Sequence, residues 1–233
     1  MSSEWSEVDP IDAPAAEVGP TNAESSFTSV FARALLGEPT TVVGMGDTPR
    51  VLPVSAWTRA ASPADLRILA LCEGTTLDIG CGPGRLTGAL SELGHLALGI
   101  DVVEQAVELT RDRGAEALHR DVFEALPGEG RWQTALLADG NVGIGGDPIA
   151  LLSRVRDVVG PGGRIVVELS GLGVRSFSGW VSLQGLSGRS RPFRWAVVSV
   201  DAADVLARSV GLLLDGIHQI EDRWAVVLRK DSE

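Results

Sequence analysis

The 233-residue chain has no tyrosine, a single lysine (Lys230), two cysteines, two methionines and three histidines. Each scarcity removes a possibility. Without tyrosine, one common side chain for orienting a bound small molecule is missing. Cys72 and Cys81 stand in no metal-ligand spacing, so no metal site is expected. No secretory signal accompanies them, and both read as reduced thiols rather than a disulfide framework. No run of 18 apolar residues occurs, which argues against a membrane-spanning helix. The opening "MSSEWSEVDPIDAPAAEVGP" lacks the basic and apolar blocks of a signal peptide, so a cytoplasmic location is expected. Twenty basic residues face 31 acidic ones, a net charge of -11, so the basic surface that non-specific nucleic-acid binding requires is absent. Six of the negative charges (Glu4, Glu7, Asp9, Asp12, Glu17, Glu24) precede the first basic residue, Arg33.

With 44% hydrophobic residues, the chain can bury one sizeable core, which predicts one domain with appendages. Residues 1–26, rich in Pro, Ala, Ser and acids, read as a disordered tail. Residues 27–61 read as a cap or lid: "SVFARALLG" has helical spacing, and "TVVGMGDTPRVLPV" turns at Gly46-Asp47 as a hairpin or ordered lid. From residue 62 a domain runs to 233. Ser62-Pro63 is a helix start, with helical spacing continuing to Gly74. Strands are then expected in "TTLDIG", "LALGID", "AEALHRD", "WQTALLAD" and "GRIVVELS". Helices are expected in "GRLTGALSELG", "VVEQAVELTRDRG" and "DPIALLSRVRDVVG", the last capped by Asp147 and stopped by Gly160. Such alternation means a mainly parallel sheet covered by helices on both faces. After the helix "DAADVLARSVG", the strands "LLLDGIHQI" and "RWAVVLRK" lie too close in sequence to be anything but antiparallel.

The stretch "TLDIGCGPGR" is the centre of the chemistry. An apolar strand ends on Asp78 and breaks into Gly80, Gly82 and Gly84, at the strand end where open parallel sheets bind ligands. Glycines let the backbone turn tightly and approach a ligand closely. A dinucleotide fingerprint needs glycine where Arg85 stands, and the Gly-Lys-Ser/Thr of a phosphate loop is absent. Asp101 ends the second strand, placed for ribose hydroxyls, and Asp121 the third, placed for an adenine amino group.

On these residues the chain, from about Ser62 to Arg229, resembles the class I S-adenosylmethionine-dependent methyltransferases. The resemblance implies a Rossmann-like seven-stranded sheet, mostly parallel with an antiparallel last strand. It implies S-adenosylmethionine as cofactor and S-adenosylhomocysteine as product. The cofactor would be held by Asp78, Gly80, Cys81, Gly82, Gly84, Arg85, Asp101, Val102, Asp121, Val122, Ala138 and Asp139. Methyl transfer is an in-line displacement that depends chiefly on alignment, so a general base is optional. His95, His119 and His218 fall outside the expected site and read as structural.

The fourth strand leads into "LLADGNVGIGGDP", where Asp139 and Asn141 are candidates to orient an acceptor, and Glu168 near the end of strand five is a candidate base. An insertion over residues 171–198 holds Arg175, Arg189, Arg191 and Arg194 with no acid, beside Phe177, Trp180, Phe193 and Trp195. Arg191, Arg194, Trp195 and Trp57, with Asn141, are therefore expected to contact a small, anionic organic acceptor. Two other readings stay open: a cofactor-binding sensor or partner subunit without turnover, and an NAD-binding oxidoreductase, disfavoured by Arg85. A homodimer is also left open.

Overall fold

The strand "TLDI", buried along its whole length, lies in the interior of a seven-stranded sheet. The computed structural model of the protein describes residues 24–232. In chain order the elements are α1 (Phe27–Leu35), β1 (Thr40–Val43), β2 (Arg50–Val51), α2 (Val54–Thr58), α3 (Pro63–Leu69), β3 (Thr76–Ile79), α4 (Arg85–Glu92), β4 (Ala97–Asp101), α5 (Glu104–Asp112) and β5 (Ala117–His119). Then follow β6 (Trp132–Leu137), α6 (Pro148–Val158), β7 (Val159–Leu169), β8 (Phe177–Gly185), β9 (Gly188–Arg189), β10 (Phe193–Val197), α7 (Ala203–Ser209), β11 (Leu213–Ile220) and β12 (Arg223–Arg229).

The large sheet has the order β11-β12-β7-β6-β3-β4-β5. β3 to β7 are mutually parallel, and β12 lies antiparallel between β7 and β11. The expected sheet, with its reversed last strand, is therefore present. Alternate residues of each strand serve opposite faces. Leu77, Ala135, Leu137, Ile165 and Val167 pack against α6 and α7 through Leu151, Val155, Ala203 and Ala207. On the other face Leu136, Val166 and Ala225 meet Ile68, Leu86 and Leu90 of α3 and α4. Each fully buried Leu or Ile contributes roughly 1.5–3 kcal/mol relative to exposure, so helix and sheet hold each other in register.

Some boundaries differ from expectation, each for a local reason. α3 has the expected Ser62 cap, completed by Asp65 as a reciprocal capping box, but ends at Leu69 instead of continuing to Gly74. α6 is capped by Asp147, whose Oδ1 accepts from the Ile149 and Ala150 N–H groups, and it ends at Val158. Gly160 is not a helix stop but lies within β7. There Val159 pairs with Trp132, the Gly160–Gly163 stretch bulges around Pro161, which has no N–H to give, and pairing resumes at Arg164. β5 stops at His119, so Asp121 sits two residues beyond the strand rather than at its end.

The two appendages make one structure. β1 and β2 form the hairpin expected around Gly46-Asp47, and β1 pairs antiparallel with β8 of the 171–198 insertion. β8 pairs with β10 and β9, giving a second, five-stranded sheet that joins segments about 140 residues apart. The expected tail, residues 1–26, falls mostly outside the described residues. Of its last residues, Ser25 exchanges backbone hydrogen bonds with Arg189 and Arg191, and Ser26 caps α1.

Candidate active site

The carboxyl ends of β3, β4 and β6, together with the loop after β5, open into one cavity of about 680 Å³, and the second sheet roofs it. Its floor is the Gly80–Gly84 loop. Gly82 has φ +53°, and a Cβ placed on it would meet no protein atom within 4 Å, so its bare face looks into open space. Asp101, 9% exposed, fastens that loop: its Oδ2 accepts the Gly82 N–H at 3.0 Å and its Oδ1 the Val103 N–H at 2.8 Å. Burial pushes the Asp101 carboxyl above its ordinary range, against the backbone N–H groups that favour its charged form. Each oxygen retains a further lone pair for hydroxyl donors. Asp121 accepts from the Phe123 N–H through Oδ1, and its other oxygen has no partner among the described residues. Asp78 is 2% exposed and accepts from the Thr87 hydroxyl at 2.6 Å. Burial pushes it up to about 7, although the Thr87 hydrogen bond acts the other way.

Of the residues expected to hold a cofactor, Asp78, Gly80, Cys81, Gly82, Arg85, Asp101, Val102, Asp121, Val122, Ala138 and Asp139 all line this cavity. Gly84 does not. It opens α4 in the left-handed region, where a Cβ would strike Thr110 of α5, so it serves helix packing. The Cys81 thiol is buried, and that burial pushes it well above its ordinary value.

Beside this floor lies a buried ionic network that sequence reasoning missed. Arg85 pairs with Asp65 and Asp139, and Arg223 pairs with Asp65, Glu168 and Asp139. Asp65 is fully buried; burial alone would raise its carboxyl, but hydrogen bonds from Arg85, Ser62 and Arg223 outweigh this and hold it well below the usual range. The capping box in "SPAD" marked Asp65 as a helix-start residue, and nothing local marked it as an ion-pair partner for residues 20 and 158 positions away. Glu168 does not line the cavity, and Arg223 grips both its oxygens, so the expected base is an anchor instead. Its Oε2 also accepts the Asp139 N–H at 2.8 Å. Asp139 has φ +52°, a strained backbone for a non-glycine residue that the network holds in place. Burial raises its carboxyl, with Arg85 acting against this.

Asn141, expected at the acceptor, lines the cavity and also holds its floor together. Its Nδ2 donates to the Ile79 and Gly80 carbonyls, both at 2.9 Å, clasping the loop after β6 onto the glycine loop. The glycine-rich segment "DGNVGIGGDP" is explained by the roof: β10 lies directly on it, and a Cβ on Gly143 would come within 2.1 Å of the Ala196 carbonyl. Ile144 and Trp195 form an antiparallel bridge across the same contact.

The other half of the cavity is apolar. Trp57, Phe31, Phe27, Phe193 and Trp195 make a continuous aromatic arc, with successive ring centres 5.9, 5.4, 4.6 and 6.4 Å apart, and all five line the cavity. Trp57 and Trp195 are where sequence reasoning placed them; Phe27, Phe31 and Phe193 join them only because α1 and β10 meet. Of the two arginines expected at the acceptor, only Arg194 reaches the cavity wall. Arg191 is exposed and lies off the cavity wall. Arg194 contributes to the wall, but its guanidinium lies over the exposed Trp180 ring and donates to Ser178.

Comparison with known proteins agrees with this geometry. Residues 76–163 match a methyltransferase domain family. A S-adenosylmethionine-dependent methyltransferase from Bacteroides fragilis, solved with S-adenosyl-L-homocysteine, is similar with a TM-score of 0.71 at 21% identity, covering 91% of this chain and 97% of that one. The 1,6-didemethyltoxoflavin-N1-methyltransferase of Burkholderia thailandensis, solved with 1,6-didemethyltoxoflavin and S-adenosylhomocysteine, is similar with a TM-score of 0.55 at 19% identity, covering 95% and 94%. A tabtoxin biosynthesis enzyme of Pseudomonas amygdali pv. tabaci is 38% identical over 65 residues, which span 28% of this chain and 26% of that protein. The chain thus has the class I S-adenosylmethionine-dependent methyltransferase fold, and its residues 76–163 are similar to a methyltransferase domain. Among the described residues no helix is long and apolar enough to cross a membrane.

The residues present fit the cofactor of that fold class. The open face of Gly82 gives a ligand backbone-close access, and Asp101 at the end of β4 and Asp121 in the loop after β5 offer acceptors for hydroxyl and amino groups.

Proposed function

We propose that this protein transfers a methyl group from S-adenosylmethionine to a small organic molecule with a flat apolar body. The aromatic arc carries this reading: five rings on one wall of a roofed cavity, facing a floor of carboxylates and bare glycine backbone. Flat rings offer large apolar contact at little conformational cost. When bound, the cofactor supplies an already activated methyl group. The chain's own residues then have to align and enclose. Asp101, Asp121 and the Gly82 backbone hold the adenosyl end, Asp139 is fixed beside Arg85, and the roof lies over the acceptor side. None of the three histidines lines the cavity, so the residues around the acceptor provide position rather than a histidine base. The 1,6-didemethyltoxoflavin bound by the similar Burkholderia thailandensis enzyme, which covers nearly this whole chain, supports the same substrate class.

The test is direct. S-adenosylhomocysteine or S-adenosylmethionine should bind the purified protein calorimetrically with one site. Asp101→Ala should weaken that binding at least about tenfold, because hydrogen bonds to a charged group contribute roughly 1.5–3 kcal/mol each. Methyl transfer from labelled S-adenosylmethionine into flat organic acceptors should follow. Binding without any transfer would favour the sensor reading, and no binding at all would overturn both.

A further inference from the structure

The register of the roof sheet selects one arginine that the sequence did not. Cα partners in antiparallel strands put their side chains on the same face. Val42 is partnered by Leu183 on one side and by Arg50 on the other, so Leu183, Val42 and Arg50 form one row across β8, β1 and β2. All three line the cavity. Two residues back along β8, Val181 is partnered by Phe193, which continues the same inner face toward Trp195. Arg194 is partnered by Trp180 on the opposite face, and Arg189 by Gln184 there too.

Arg50, solvent-exposed on the edge strand β2, thus stands on the inner face of the roof at the cavity's rim, whereas the guanidinium of Arg194, which also contributes to the wall, is turned onto Trp180. Arg85, deeper in the cavity, is already paired with Asp65 and Asp139. Arg120, after β5, donates to the His119 carbonyl on the adenosyl side. Arg50 has no carboxylate partner among the described residues; its Nη1 lies 3.9 Å from Met45 Sδ, which offers only a weak acceptor. In a chain of net charge -11, an unpaired arginine facing a ligand cavity is a chemical signal.

We infer that the acceptor carries an anionic group recognised by Arg50 while its flat body lies against Phe193 and Trp195. This rests on the methyltransferase reading of the same cavity. The arginine fork pairs with carboxylate or phosphate oxygens through two parallel hydrogen bonds, and the aromatic wall selects the planar part.

The experiment uses the protein saturated with S-adenosylhomocysteine and two probes of equal shape, 2-naphthoate and neutral 2-naphthamide, titrated calorimetrically at low salt. The naphthoate should bind at least about tenfold tighter than the amide, a charge-assisted advantage that shrinks as salt rises. Arg50→Gln should erase that preference and leave S-adenosylhomocysteine affinity unchanged. Arg50→Lys should keep part of it, and Arg191→Gln all of it, because Arg191 is exposed and lies off the cavity wall. Equal binding of the two probes, no binding of either, or a preference that survives Arg50→Gln would overturn the inference. Wild-type protein that fails to bind S-adenosylhomocysteine would instead strike at the methyltransferase reading beneath it.

Discussion

Arg223 holds Glu168 by both carboxylate oxygens, Nε to Oε1 and Nη2 to Oε2, each at 2.6 Å. The pair joins the last strand to the end of β7 and, through the Asp139 N–H on Glu168, sets the strained turn at the cavity's edge. Removing one partner of a buried pair leaves an uncompensated charge, which costs about 3 kcal/mol or more. Arg223→Ala should therefore lower the melting temperature by roughly 6–12 °C in a chain of this size. Glu168→Gln keeps an acceptor for Asp139 and should cost less, with turnover reduced far less than the loss of a general base would cause. Melting curves and steady-state rates for both variants decide it; a stable Glu168→Gln enzyme without turnover would restore Glu168 as a base.

Gly80 and Gly82 should fail in opposite ways. A Cβ on Gly80 would lie 2.7 Å from Asn141 Nδ2, so Gly80→Ala should break the clasp between the two loops and lower the melting temperature. On Gly82 a Cβ meets no protein atom, so Gly82→Val should cost only about 1–2 kcal/mol of left-handed strain while filling the space a cofactor needs. Melting temperature beside S-adenosylhomocysteine affinity separates the two. Intact affinity in Gly82→Val would remove the glycine loop from the cofactor site.

Asp78 makes stability depend on pH in a stated direction. Burial raises its carboxyl to about 7 in the folded state, against an ordinary value of 3.8, so the folded protein binds the proton more tightly than the unfolded one. Its contribution to the unliganded protein's stability is therefore present at low pH and lost as pH rises from about 4 to about 7. Asp78→Asn has no such titration. The stability of the variant relative to wild type should grow between pH 5 and pH 8, measured by thermal melting without ligand. A difference that does not change with pH would show that Asp78 titrates normally.

Much of this molecule was legible in its sequence, and the reason is local. "TLDIG" is buried on both faces and reads as a central strand; Ser62-Pro63 and Asp147-Pro148 announce helices by caps that act within one turn. The glycine loop and Asp101 could be found because strand ends and turns are marked by residue types close together in the chain. The parallel sheet followed from the alternation, and its antiparallel β12 from a connection too short to cross over.

What tertiary structure decided was every pairing across long sequence separations. Nothing near Asp65 shows that Arg85 and Arg223 converge on it, and nothing near Glu168 shows that its charge is already spent on Arg223. The cap at 27–61 and the insertion at 171–198 read as separate appendages, yet joined through β1 and β8 they make one roof. That join fixes which side chains face the cavity. A strand alternates its side chains with period two, so the register of β2 with β1 puts Arg50 on the inner face of the roof, and that of β10 with β8 turns the Arg194 guanidinium onto Trp180 on the other.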